Sequence, residues 1–282
     1  MRDRQPTDPG GQAISPAWSP PNLPLDKPSA ARMYDYFLGG YHNFAVDRRA
    51  ADAAISIYPD FPLVMQANRA FLRRAVKFLL AQNVRRFLDI GSGIPTVDNT
   101  HQVAQRAAPN TRVVYIDNDP IAVAHSAALL RGEPNTAIIE ADVTGYEQVL
   151  NHPVVRDLLG DGEPVGLLMV FLLHFVLDDQ LAYDLVRNLI DALPSGSYVV
   201  ISHGTDDDIP SDVREQLLRL YSGTTNPVRV RSRAEFARFF DGLDLVEPGI
   251  VYVPRWRPEA ADDLLVDKPE RAIGFAAVAH KP

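Results

Sequence analysis

Three acids stand at or just beyond successive apolar runs: Asp89 in Phe87-Leu88-Asp89-Ile90-Gly91-Ser92-Gly93, Asp117 after Val113-Val114-Tyr115-Ile116, and Asp142 after Ile138-Ile139-Glu140-Ala141. A carboxylate so placed can accept two hydrogen bonds at once, which paired ribose hydroxyls or an exocyclic amine require. Gly91 and Gly93 let the backbone approach a ligand, and the helix expected after them offers free N–H groups. Capping and turn formation are equal alternatives for any one acid. Three in order favour a nucleotide-type ligand.

The third glycine of a dinucleotide fingerprint would fall at Thr96, and a Gly-Lys-Ser/Thr phosphate loop is absent. What remains, acid-x-Gly-x-Gly, resembles motif I of Rossmann-like S-adenosylmethionine-dependent methyltransferases, whose loop packs against the methionine part of the cofactor. Asp117 then suits the ribose hydroxyls. In that family an acid placed like Asp142 accepts from the adenine amino group. Asn118 and Val143, beside these acids, join the expected cofactor set, whereas Asp119-Pro120 reads as a helix entry. A nicotinamide oxidoreductase is disfavoured by Thr96 and by Asp142.

Methyl transfer mainly needs alignment of acceptor and methyl carbon, and for a hydroxyl acceptor a base. His174, interrupting an apolar run before Asp178-Asp179, is a candidate base, since an ordinary histidine titrates near neutrality. The stretch from Leu173 to Asp179 resembles the Leu-His-Asp-Trp-x-Asp stretch of small-molecule O-methyltransferases, but Phe175 and Val176 replace its second acid and its tryptophan. A wall histidine bonded to backbone is the other reading. His203, in Ile201-Ser202-His203-Gly204, is the second candidate. No Asp ends the fourth run, so no metal is expected.

These groups need elements to hold them. From Arg85 onward, expected strands at Arg86 to Ile90, Arg112 to Ile116, Thr136 to Glu140, Gly166 to Leu172 and Ser197 to Ser202 alternate with helices at Asn99 to Ala107, Ile121 to Leu130, Tyr146 to Leu159 and Asp179 to Ala192. That alternation means βαβ units and a parallel sheet with helices on both faces. Helices at Ser211 to Tyr221 and Arg233 to Phe240 follow, then apolar runs at Leu245 to Val253 and Ala272 to Ala279 that read as a closing strand pair. Upstream, helices are expected over Ala31 to Leu38, Asp47 to Ile57 and Pro62 to Gln82, behind a mobile tail over residues 1–27.

The 282 residues carry a formal net charge of -8, which argues against a broad nucleic-acid-binding surface. Cysteine is absent, which excludes disulfides, thiolate metal sites and cysteine nucleophiles. The longest apolar run, Val165 to Leu177, is broken by His174 and is too short to span a bilayer, and the N-terminus lacks a signal-peptide core. A cytoplasmic enzyme with a small-molecule substrate is expected; the oligomeric state leaves no signature.

Tyr34-Asp35-Tyr36-x-Leu38-Gly39-Gly40-x-x-Asn43-Phe44-x-x-Asp47, then Ala67-Asn68-Arg69-Ala70-Phe71-Leu72-Arg73-Arg74-Ala75-Val76, Phe87 to Gly91 and Leu193-Pro194-x-Gly196-Ser197-Tyr198 closely resemble, in this order, a family of actinomycete S-adenosylmethionine methyltransferases formerly labelled a domain of unknown function. The resemblance implies a Rossmann-like, mostly parallel seven-stranded sheet over residues 84–282 and an N-terminal helical lid over 28–83. Tyr34, Tyr36 and Phe44 would then face the sulfonium, and Arg32 or Arg69 would pair with the methionine carboxylate. It names no acceptor; a hydroxyl of a secondary metabolite is one expectation, and a cofactor-binding regulator without turnover is the alternative.

Overall fold

Strict alternation of apolar side chains sorts the strands onto two cores. Phe87, Val113, Tyr115, Leu168 and Val200 face one side, whereas Leu88, Ile90, Val114, Ile116, Leu167 and Met169 face the other. Asp89 shares the face of Phe87, two residues away. The computed structural model describes residues 26–94, 98–260 and 263–282; the tail expected over 1–27 lies outside them up to residue 25.

Five parallel strands, β1 (Arg86–Ile90), β2 (Arg112–Asp117), β3 (Thr136–Glu140), β4 (Val165–Val170) and β5 (Tyr198–Gly204), form most of the sheet. Two short strands, β6 (Asp244–Leu245) and β7 (Val251–Tyr252), and the antiparallel β8 (Gly274–His280) complete it. The order is β3-β2-β1-β4-β5-β8-β6, with β7 also paired to β8. It reverses between β1 and β4, where a crevice opens beyond the carboxyl ends of the strands.

The helices are α1 (Ala30–Phe37), α2 (Ala45–Ile57), α3 (Phe61–Ala81), α4 (Thr100–Ala107), α5 (Pro120–Leu129), α6 (Tyr146–Asn151), α7 (Pro153–Leu159), α8 (Asp179–Asp191), α9 (Ser211–Ser222) and α10 (Arg233–Ala237). Along α3, Ala67, Phe71, Leu72, Ala75, Val76 and Leu79 return at helical spacing and pack against the sheet. The approach is close: a Cβ on Gly166 of β4 would stand 2.6 Å from Leu79 Cδ2. A third core joins Met33, Phe37, Phe61, Val64 and Met65 to Leu217 and Tyr221 of α9. Thus the N-terminal helices are tied to the sheet by α3 and to the C-terminal half by α9.

Three expectations change. The single helix expected over Tyr146 to Leu159 is two, because Pro153 has no N–H to continue α6 and instead occupies the first turn of α7. β4 stops at Val170, two residues early, since Phe171 takes φ +53°. The run Leu245 to Val253 splits at Pro248 and Gly249 (φ +75°) into β6 and β7, giving eight strands among the described residues rather than seven. Among these residues no helix is long and apolar enough to cross a membrane.

Candidate active site

The loop after β1 turns on two left-handed glycines, Gly91 (φ +70°) and Gly93 (φ +64°). A Cβ on Gly91 would stand 2.5 Å from Leu172 Cδ1, whereas one on Gly93 would meet nothing within 4 Å. Gly91 is thus required by packing, and Gly93 leaves the space before the loop open. Buried Asp89 accepts the Thr100 hydroxyl at 2.6 Å. Burial pushes its carboxyl up to about 6 against the opposing pull of Thr100 and the Arg69 charge.

At the end of β2, Asp117 Oδ2 accepts from the Gly93 N–H at 2.7 Å and Oδ1 from the Asp119 N–H at 2.8 Å. Burial raises this acid to about 6 as well, although both backbone donors oppose the rise. Asp119 caps α5 through the Ile121 and Ala122 N–H groups and accepts the Ser29 hydroxyl at 2.6 Å. Asp142, beyond β3, accepts from the Thr144 N–H and hydroxyl and, at 3.3 Å, from Asn118 Nδ2. Burial would raise it, but these donors hold it below its ordinary value. Asn118, Asp142 and Val143 line a cavity of about 220 Å³. It shares Gly91, Asp117, Asn118 and Leu172 with a neighbouring cavity of about 330 Å³.

The larger cavity is walled by α1 and α3. Arg69 lies over the Tyr34 ring at 5.5 Å, and its buried Nε has no hydrogen-bond partner among the described residues. Asn68, which sequence reasoning did not single out, donates to the Tyr34 hydroxyl at 3.1 Å and accepts from Ser202 of β5 at 2.7 Å. It therefore ties the aromatic helix to the sheet. Arg32 also reaches the wall, but its Nε is paired with Asp47 at 2.8 Å. Tyr36 and Phe44 do not line the cavity. Tyr36 instead donates to Asp52 at 2.9 Å, and Phe44 lies under the Arg32 guanidinium at 5.5 Å.

The two histidines have different surroundings. His203 is fully enclosed, with Nε2 against Arg231 at 2.9 Å and Nδ1 against the Gly204 carbonyl at 2.6 Å. A guanidinium only donates, so Nε2 accepts and Nδ1 carries the proton. Both nitrogens are spent, and His203 reaches none of the cavities described here. His174 does face the larger cavity, and its Nδ1 accepts the Gly204 N–H at 3.5 Å. Burial, reinforced by Arg231, lowers it to about 3, so it is neutral at neutral pH.

Phe171 and Tyr221 were not foreseen either. The left-handed Phe171 is held there by its N–H, which donates to Ser202 Oγ at 3.0 Å. Phe171 lines both the larger cavity and a third one of about 90 Å³. No sequence pattern marks either residue, because what selects them is which side of a helix or a strand end faces the opening.

A family model described as S-adenosyl methyltransferase matches residues 16–282. The chain belongs to this family. No curated protein matches it. A DUF574 family protein from Streptomyces avermitilis MA-4680 is 42% identical, with a TM-score of 0.86 over 92% of this chain and 99% of its own. A candidate methyltransferase from Thermobifida fusca YX is 39% identical, again at 0.86, over 94% of this chain and 99% of its own. This methyltransferase therefore has S-adenosylmethionine as its cofactor. The lining fits such a molecule: the Arg69 guanidinium, whose buried Nε has no hydrogen-bond partner among the described residues, suits its carboxylate, the Asp117 oxygens suit its ribose, and the space before Gly93 admits the chain between them.

Proposed function

We propose that the protein transfers a methyl group from S-adenosylmethionine to a small-molecule acceptor, with residues 84–282 binding the cofactor and residues 28–83 forming a helical cap over it. Arg69 holds the methionine carboxylate, Asp117 the ribose hydroxyls, and Asp142 with Asn118 and Val143 the adenine end. The observation that carries this reading is the meeting of Arg69, Asp89, Asp117 and the glycine loop on one cavity at the switch in strand order. When bound, the cofactor supplies an electrophilic methyl carbon.

The residues beside it align the acceptor and exclude water. Tyr34 and Phe37 of α1 cover one side of the cavity, and Phe171 and Leu172 the other. His174 stays neutral and is a weak base, and burial raises Tyr221 above the ordinary tyrosine range, so its hydroxyl stays protonated. An acceptor held between these two brings its own available electron pair, as a readily ionised hydroxyl or a neutral amine does. A secondary metabolite handled in the cytoplasm fits that description.

The test is formation of S-adenosylhomocysteine by purified protein with a pooled bacterial metabolite extract. Product above a no-extract control supports turnover. Tight cofactor binding with no product from any pool would make the protein a binding module instead.

A further inference from the structure

The cavity of about 90 Å³ beyond Phe171 is a side arm of the cofactor cavity: Met65, Phe171, His174 and Tyr221 line both. Its walls come from α3 and α9, with Phe61 and Val64 on one and Leu217 and Leu218 on the other. Arg214 and Asp206, a partly exposed ion pair at 2.9 Å, also line it. The arm is thus apolar along the helix walls, and its charges are paired. A cavity of roughly 150 Å³ holds benzene, so an arm of this size admits one ring that protrudes into the larger space, and not a fused system.

At the mouth stands Tyr221. The residue is buried, and its hydroxyl makes no hydrogen bond among the described residues. Tyr221 lines both spaces, so an oxygen of a ligand entering there can accept from its hydroxyl in place of water. The adjoining His174 spends Nδ1 on Gly204, which leaves its other nitrogen as an N–H donor. Tyr221 and His174, each with a group able to donate, therefore line both spaces.

We propose that this arm is the acceptor site, that it takes a molecule with a single small ring bearing an oxygen, and that Tyr221 Oη donates a hydrogen bond to that oxygen. The proposal rests on the methyltransferase reading and names its substrate class. The ring lies between α3 and α9, and the oxygen points past Phe171 toward the cofactor cavity.

Phenol and toluene serve as probes, titrated by NMR into protein saturated with S-adenosylhomocysteine. Both should bind the unaltered protein, and both should be lost in Leu218→Trp and in Val64→Phe, which fill the arm. Tyr221→Phe should weaken phenol about fivefold and leave toluene unchanged. Failure of either probe to bind, binding that survives both blocking variants, or an equal effect of Tyr221→Phe on the two probes would overturn the proposal. S-adenosylhomocysteine affinity, measured on every variant, reports the fold. Its retention in the unaltered protein while the probes fail sinks the arm alone, and its absence there sinks the methyltransferase reading.

Discussion

Asp117 Oδ2 receives the Gly93 N–H at 2.7 Å, so the carboxylate that ends β2 also fixes the turn that follows β1. One side chain thereby sets the shape of the loop and, in the proposed binding mode, the ribose position as well. Asp117→Ala should weaken S-adenosylhomocysteine by at least about 150-fold, the worth of two hydrogen bonds to a charged group. It should weaken 5′-methylthioadenosine, which has the same ribose, to a similar degree. Calorimetry on both ligands checks this, and unchanged affinity would remove Asp117 from the ribose role.

Arg69 makes the complementary prediction. Its buried Nε lacks a hydrogen-bond partner among the described residues, and the cavity beside it suits a carboxylate. Arg69→Gln should weaken S-adenosylhomocysteine about 10-fold or more while leaving 5′-methylthioadenosine, which has no carboxylate, within about twofold. Equal losses for the two ligands would place the methionine end elsewhere.

Asp89 should reveal itself through stability. Its folded-state value of about 6 lies above the ordinary 3.8, so between those values the folded protein holds a proton that the unfolded chain has released. Stability from this group is therefore full below about pH 4 and is lost as pH rises through about 6. Asp89→Asn should stabilise the cofactor-free protein by about 3 kcal/mol at pH 7.5, and the gain should fade as pH falls from 6 to 4. Denaturation curves across that range check the sign, and a gain independent of pH would contradict it.

Gly40 tests the architecture ahead of the sheet. Gly39 (φ +78°) ends α1, the Gly40 N–H returns to the Asp35 carbonyl at 2.8 Å, and the buried Asp35 carboxylate occupies the space that a Gly40 Cβ would need. Asp35 cannot withdraw cheaply, because the His42 N–H and Asn43 Nδ2 both donate to it at 2.8 Å. Gly40→Ala should cost about 2 kcal/mol of stability. An unchanged denaturation midpoint would show that the turn relaxes freely.

The parallel sheet and the acids at its strand ends were legible because apolar alternation and glycine placement are local properties of sequence. The tyrosine-rich N-terminal block was legible as special, but only part of it meets the cavity: Tyr34 and Phe37 do, while Tyr36 turns to Asp52. Asp47 is spent on knitting, taking the Ser29 N–H, the Arg32 Nε and the Phe44 N–H. Such assignments depend on which face of a short helix meets a distant partner, and spacing does not encode that. Tyr221 lay hidden for the same reason, since it comes to the mouth only when α9 packs against Phe61 and Met65. Sequence offered His174 first and His203 second, and Arg231 separates them by occupying His203 and leaving His174 at the opening.

The most direct test of the central claim is a crystal structure with S-adenosylhomocysteine. The account predicts density with its carboxylate at Arg69, its ribose hydroxyls at Asp117 and its adenine beside Asn118 and Asp142, with the sulfur facing Phe171 and His174. Density in any other cavity, or a ligand in this one with its carboxylate away from Arg69 and its ribose away from Asp117, would contradict it.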